Sequence, residues 1–243
     1  MNSRPNVLIV FVLLIAGLFS CEKGPTDALL IFKAFNSDLN QKKSHLISEY
    51  QVDTMSMVIE TITIEKTIPE EAYGFENIED SIAYWENMEI YAESIYGPYK
   101  IDLLQGTSEP SIDIIDIKPG LYNCIDARIL NGVGDSICFY MFGKALFNDH
   151  EISFECKYSG HAHIEFINPD GFVIAQNKFN QIWVLTDINL LFNSLDLSTA
   201  AVDQDSVIRM NMDSNNELLN IIIENLESAS NIGLDLDLDG QID

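Results

Sequence analysis

The sequence predicts a mainly β protein, an antiparallel β-sandwich followed by one short C-terminal helix. Three observations lead to this prediction. Short apolar segments rich in β-branched residues alternate with polar positions along most of the chain. Turn-forming Gly, Pro, Asn and Asp residues separate these segments at short intervals. A single segment near the C-terminus instead repeats its apolar residues at helical spacing.

The N-terminus has the pattern of an export signal. Arg4 precedes an almost unbroken apolar run over residues 7–19, which is short for a membrane-spanning helix and typical of a signal peptide. The tripeptide Leu-Phe-Ser then stands directly before Cys21, an arrangement that resembles the bacterial lipobox. We therefore expect residues 1–20 to be a lipoprotein signal peptide and Cys21 to carry acyl chains such as palmitate. An uncleaved anchor and an ordinary cleaved signal with a free thiol are the alternatives.

Lipidation would place the folded part in the bacterial cell envelope. We expect residues 21–27 to tether it to a membrane, with the outer membrane the expected one, facing either the periplasm or the exterior. Residues 28–212 then form the sandwich, and residues 213–243 form the helix and an Asp-rich tail. The chain has 13 basic and 38 acidic residues and a net charge of −25, which repels nucleic acid and attracts cations. Because 47% of the residues are hydrophobic, the chain is acidic but folded.

The predicted strands follow one another with short turns between them. The clearest alternation is in residues 57–66, MVIETITIEK, where β-branched residues dominate both faces. Residues 168–171, Asn-Pro-Asp-Gly, predict a β-turn. The strands are predicted at 28–35, 57–66, 99–104, 111–117, 121–130, 136–146, 151–158, 161–167, 172–175, 182–191 and 207–212.

The segment 213–230 predicts the C-terminal helix. Its leucines and isoleucines recur three and four residues apart, which gives one apolar face. Asp213 or Ser214 is available as the N-cap, and Gly233 is expected to end the helix.

The last nine residues, DLDLDGQID, resemble the first nine positions of an EF-hand calcium loop. Leu236 and Leu238 are apolar where such loops are usually polar, and the bidentate Glu of position 12 does not follow, so we expect weak binding, about 10⁻⁴ to 10⁻³ M. An edge strand or an acidic tail is the alternative. The expected calcium ligands are Asp235, Asp237, Asp239, the carbonyl of Gln241, and Asp243, with Gly240 at the turn.

Three cysteines lie beyond the leader, so at most one intramolecular disulfide can form. In an oxidising compartment the expected pair is Cys124 with Cys138, on two strands joined by a hairpin turn at residues 131–135. Cys156 would then be unpaired, and three buried free thiols are the alternative.

His161 and His163 are two residues apart on a predicted strand and would share one face. Both imidazoles could then bind one zinc or copper ion, with Cys156 or His150 nearby as a further ligand. Two solvent-facing histidines are the alternative.

Aromatic residues concentrate around the acidic segment 68–87, where they predict a face for an envelope protein or a glycan, or else anchor loops. The set comprises Tyr84, Trp85, Tyr91, Tyr96 and Tyr99. The sequence contains no nucleophile elbow, P-loop or dinucleotide fingerprint. We therefore expect no enzyme but a binding or structural module, with a calcium-binding module as the alternative and an unrecognised hydrolase as the second alternative.

The order of several motifs is similar to a known family. The alternating strand 57–66 precedes Trp85, the strand Tyr-Lys-Ile-Asp-Leu-Leu at 99–104 follows, and a Pro-Gly-x-Tyr turn at 119–122 leads into the next strand. Over roughly residues 28–198 this pattern resembles domain of unknown function 4382, found in bacterial envelope lipoproteins. The resemblance implies a β-sandwich and an envelope location. It brings no assigned reaction and no catalytic residues.

Overall fold

The computed structural model describes residues 26–37, 50–66, 92–129, 137–147 and 150–243. Within these ranges the protein is mainly β, as predicted. The strands are β1 (Thr26–Phe35), β2 (Tyr50–Lys66), β3 (Ala92–Asp102), β4 (Thr107–Glu109), β5 (Ile115–Ile117), β6 (Gly120–Ile129), β7 (Phe139–Phe147), β8 (His150–Tyr158), β9 (Ala162–Ile174), β10 (Asn180–Asp187), β11 (Val207–Met210) and β12 (Ser230–Leu234).

The described strands form two sheets arranged as a sandwich, as predicted. The first sheet has the order β12-β10-β1-β5. The second has the order β11-β8-β7-β2-β3-β4, with β6 paired to β2 and β9 paired to β6. The core lies between the sheets, where the ring of Phe32 on β1 meets the edge of Phe166 on β9 at 6.1 Å between centroids. Both rings are buried.

Two strand pairs are parallel, while the other pairings between described strands are antiparallel. β1 lies parallel to β10, and β11 lies parallel to β8. The register of the first pair runs from Ala28 opposite Asn180 to Phe35 opposite Asp187. β10 is mostly buried along its whole length, as expected for a parallel strand that is covered on both faces.

A bulge changes which side chains of β2 face the core. The register of β2 shifts between Ile59 and Thr61 against both β3 and β6. Ile59 and Ile62 are therefore both buried, although strict alternation would place them on opposite faces. The predicted strand is present, but its two halves have opposite phases.

β6 and β7 do not form the predicted hairpin. Both pair with the same edge of β2, β7 along Tyr50–Met57 and β6 along Ile59–Lys66, so they lie end to end. The expected turn at 131–135 lies outside the described residues.

The predicted C-terminal helix is present as α2 (Asn216–Ser228), and its apolar face, including Leu219 and Ile222, is buried. Its N-cap is neither Asp213 nor Ser214. Asn215 occupies that position in the left-handed conformation, and its amide bonds instead to the backbone of Ala201 and Arg209.

The helix ends before the predicted Gly233, and the chain then forms β12, which pairs with β10. The segment 213–243 is therefore part of the sandwich through β12 rather than an appendage to it.

Two other predicted boundaries were wrong. The strand predicted at 182–191 ends at Asp187, because the Asp187 carboxylate accepts a hydrogen bond from the Asn189 N–H (3.0 Å) and starts the short helix α1 (Ile188–Leu191). The strands predicted at 161–167 and 172–175 belong to one strand, β9, in which residues 168–171 interrupt the register with β6 and lie opposite the single residue Asn123. Asn168 there donates to the carbonyl of Ile232 on β12 (2.9 Å) and so links the two sheets.

Among the described helices, none is long and apolar enough to cross a membrane.

Candidate metal centre

The C-terminal loop, residues 235–243, begins where β12 ends and is closed at both ends by backbone hydrogen bonds. The Asp235 N–H donates to the Gln181 carbonyl (3.1 Å), which continues the pairing of β12 with β10. The Asp243 N–H donates to the Leu234 carbonyl (3.0 Å). The loop therefore leaves and rejoins the same end of the first sheet.

The carboxylate of Asp235 organises the inside of the loop. It is almost fully buried and accepts hydrogen bonds from the N–H groups of Asp239 (3.1 Å) and Gly240 (2.9 Å). The backbone can turn back on it because Leu238 and Gly240 have positive φ angles, 65° and 85°. Glycine adopts this conformation at no steric cost, which explains its place at the turn.

This turn brings together three of the predicted calcium ligands. One carboxylate oxygen from each of Asp235, Asp237 and Asp239 lies within 4.8 Å of the others. Calcium takes six to eight oxygen ligands at about 2.3–2.6 Å, and carboxylates that alternate along a loop are a usual source. The three aspartates are therefore placed to contact one ion after small side-chain rotations.

Asp243 has a different partner, and the hydrogen bonds of Gln241 do not involve the carbonyl that was predicted as its ligand atom. Gln241 donates its backbone N–H and its side-chain amide to the carboxylate of Asp239 (2.9 and 3.0 Å). The carboxylate of Asp243 accepts from the N–H of Leu236, and Asp243 is not part of the three-aspartate group. The geometry thus supports Asp235, Asp237 and Asp239, while Asp243 closes the loop.

The loop rests on the outer face of the first sheet. Gly233 of β12 lies directly beneath Ile242, and a Cβ built on this glycine would lie 2.3 Å from Ile242 Cγ2. Gly240 lies against the ring of Trp183 on β10, whose Nε1–H donates to Gln181 (3.2 Å). The sequence patterns did not identify this platform, because it joins strands that are distant along the chain.

The loop is strongly negative. Four aspartates lie within nine residues, and the ion pairs found among the described residues include none of them. Like charges this close repel, and a divalent cation would remove the repulsion.

A groove of about 600 Å³ runs beside the loop. Its floor is the outer face of the first sheet, with Lys33, Leu185 and Asn231, and residues 168–170 and 240–242 form its walls. It combines apolar and polar side chains, which is the usual composition of a binding surface.

The expected Cys124–Cys138 disulfide is wrong, because both thiols are free. Cys124 lies opposite Glu65 on β2, whereas the Cys138 carbonyl accepts from the N–H of Val58 (2.8 Å). The two cysteines are thus about 20 Å apart along β2. A disulfide requires Cα atoms within about 7 Å.

The thiols of Cys138 and Cys156 belong to the core. The Cys138 thiol donates to the carbonyls of Tyr158 and Gly160 (3.2 and 3.1 Å), and burial raises its pKa. Cys156 is fully buried beside Met210, and burial raises its pKa strongly. Cys156 therefore cannot act as the third ligand expected beside His161 and His163.

The remaining site predictions fall partly outside the described residues. Cys21, Tyr84, Trp85 and Tyr91 lie there. Of the two described aromatic residues, Tyr96 is 74% exposed on β3 and Tyr99 packs against the core.

No family model matches the chain, and comparison with curated proteins and with solved structures gives no match either.

Proposed function

We propose that this chain is a non-catalytic binding module of the bacterial envelope, held to a membrane by lipid on Cys21. The observation that carries the proposal is the leader, in which an apolar segment too short to span a bilayer stops at a cysteine preceded by Leu-Phe-Ser. We also propose that the chain is related to domain of unknown function 4382, which is found in bacterial envelope lipoproteins.

The partner surface that we propose is the groove beside the C-terminal loop. Its walls come from β9 and the loop, and its floor comes from β1, β10 and β12. A rigid sheet carrying a wall of loops suits the recognition of an envelope protein or a glycan.

Metabolic labelling tests the lipid anchor. The full-length chain, expressed in a bacterium fed an alkyne analogue of palmitate, should incorporate the label, and Cys21→Ser should abolish incorporation. Cys124→Ser is the matched control, because it removes a partly exposed thiol from the folded domain and should leave labelling unchanged. Equal labelling of wild type and Cys21→Ser would reject the anchor.

The second candidate function is calcium binding by the C-terminal loop. The specific observation is the convergence of Asp235, Asp237 and Asp239 around a turn that Gly240 makes possible. We propose that one calcium ion binds there and fixes the wall of the groove, so that partner binding requires calcium.

Thermal unfolding with and without calcium tests this second function. For a dissociation constant of about 10⁻⁴ to 10⁻³ M, 10 mM calcium stabilises the folded state by about 1.4–2.7 kcal/mol. For a domain of this size the melting temperature then rises by about 3–10 °C.

The variant Asp237→Asn/Asp239→Asn should lose this rise, since both carboxylates are exposed ligands rather than core groups. Asp113→Asn/Asp116→Asn, two exposed aspartates elsewhere, is the control and should keep it. An equal rise in all three proteins would show that calcium acts on general surface charge.

A further inference from the structure

A second group of metal-ligating side chains lies on the solvent face of the other sheet. β6 and β9 are antiparallel, with Asp126 directly opposite Glu165 and Arg128 directly opposite His163. The residues between them, such as Ala127 and Ile164, are buried. Because side chains alternate across a strand, Asp126, His163 and Glu165 all point away from the core.

Three different side chains converge there. One ligand atom from each of Asp126, His163 and Glu165 lies within 4.8 Å of the others, and Nε2 of His163 contacts Oδ2 of Asp126. The sequence patterns paired His163 with His161 instead. Asp126 becomes its neighbour only through the register of β6 with β9.

The charges around this group are unbalanced. Like charges directly opposite each other destabilise an antiparallel pair, and Asp126 faces Glu165 in this way. Glu65 lies one strand further on, opposite Cys124, and adds a third carboxylate to the same face. Among the registered residues of β6 and β9, the basic side chains near these carboxylates are Arg128 and His163, and the exposed His161 lies just before β9.

We propose that Asp126, His163 and Glu165 bind one zinc ion. An imidazole nitrogen and two carboxylate oxygens are a ligand set that zinc accepts, whereas calcium is bound by oxygen ligands alone. Zinc holds such ligands at about 2.0–2.2 Å, which places ligand atoms about 3.4 Å apart. His163 and Glu165 are exposed, so small rotations of their side chains close the present separation.

The surroundings support a three-ligand site with water in the fourth position. His163 and Glu165 are exposed, so water can reach an ion held between them. His163 also lines a cleft of about 380 Å³ between β9 and α2. Glu227 on α2 accepts a hydrogen bond from the N–H of Glu165 (3.2 Å) and holds the backbone at that ligand. The site is separate from the C-terminal loop in both position and ligand chemistry.

Zinc titration against a chromophoric chelator tests the proposal with the whole folded domain. The wild type should bind one zinc ion at this site, and His163→Ala should weaken binding by at least about tenfold, because loss of outer-shell partners alone costs about 10- to 100-fold. Glu165→Gln should act in the same direction and serves as a second variant should the first fail to fold. His161→Ala is the matched control, since it removes an exposed neighbouring imidazole that is not part of the group.

The same titration separates this site from the calcium loop. Asp237→Asn/Asp239→Asn should leave zinc affinity unchanged, and millimolar calcium should not compete with zinc. Bound cobalt used in place of zinc should show a visible spectrum that Asp126→Asn alters. Saturable zinc binding that survives both His163→Ala and Glu165→Gln, or the absence of saturable binding to the wild type, would overturn the proposal.

Discussion

Ile242 packs so closely on the α-carbon of Gly233 that position 233 has no room for a side chain. A Cβ built at position 233 would lie 2.3 Å from Ile242 Cγ2, well inside van der Waals contact. Gly233 is itself buried in β12 and has its backbone paired with Trp183 on β10. Gly233 therefore has a packing role, because the absence of a side chain allows the C-terminal loop to pack directly on the backbone of the sheet.

Gly233→Ala should therefore displace the C-terminal loop from the first sheet. The methyl group must displace Ile242, and overpacking of this kind costs about 1–3 kcal/mol. Urea unfolding at equilibrium should show that loss, together with a weaker calcium response. The double variant Gly233→Ala/Ile242→Ala removes the colliding side chain and should be less destabilised than the sum of its single variants. Strict additivity would show that the two residues do not collide in solution.

Asp235 and Asp237 should differ in their effect on stability even without calcium. The buried Asp235 carboxylate accepts two backbone hydrogen bonds that shape the loop, so Asp235→Ala should cost about 1–3 kcal/mol in chelator-treated protein. Asp237 is exposed, and Asp237→Ala should leave the urea midpoint nearly unchanged while removing a proposed calcium ligand. Equal losses from both substitutions would mean that Asp235 has no structural role of its own.

Local sequence patterns predicted the strands and the helix of this fold better than they predicted which strands pair and in which register. The alternation of residues 57–66 and the helical repeat near the C-terminus each formed the predicted element. The bulge near Ile59 changed which side chains of that strand point to the core, because an extra residue in one strand moves every later side chain to the opposite face. Alternation detects a strand without detecting such an insertion.

The pairings that build the two candidate sites are all between distant segments. Trp183 supports the loop because β10 lies between β1 and β12, and Asp126 meets His163 because β9 returns antiparallel to β6. Composition and spacing carry no information on these registers. The DxDxDG segment was recognisable because all of its proposed ligands lie within one loop, whereas the group around His163 was not recognisable from the sequence.

Cys124 should react slowly with iodoacetamide in the native protein. Burial and the neighbouring carboxylates of Glu65, Glu165 and Asp126 raise the pKa of its thiol to about 12, compared with about 8.5 for a free cysteine. Allowing for the greater intrinsic reactivity of a more basic thiolate, alkylation near pH 8 should be about 10- to 100-fold slower than for free cysteine. The rate should increase as the pH rises, because the thiolate fraction grows.

Peptide mapping by mass spectrometry follows that reaction at each cysteine. In urea without reductant, Cys124, Cys138 and Cys156 should all become alkylated, since all three are free. A disulfide-linked peptide joining Cys124 to Cys138 would contradict the strand register as well as the thiol state.

Glu65→Gln should stabilise the metal-free protein near neutral pH. Partial burial raises the pKa of Glu65, and the charges of Asp126 and Glu165 raise it further, so the folded state disfavours the ionised carboxylate. A raised folded-state pKa means that the folded protein binds more protons than the unfolded chain between the two pKa values. The wild type therefore loses stability from this group as the pH rises through that interval, and the penalty is complete above the folded-state pKa.

Glutamine has no charge to desolvate, so in the presence of chelator the urea midpoint of Glu65→Gln should be higher than that of the wild type at pH 7.5. Below the ordinary glutamate pKa the two midpoints should become equal. Glu109→Gln, at an exposed position on β4, should match wild type at both pH values. A Glu65→Gln variant that is less stable than wild type at pH 7.5 would show that the carboxylate makes favourable contacts that outweigh its desolvation.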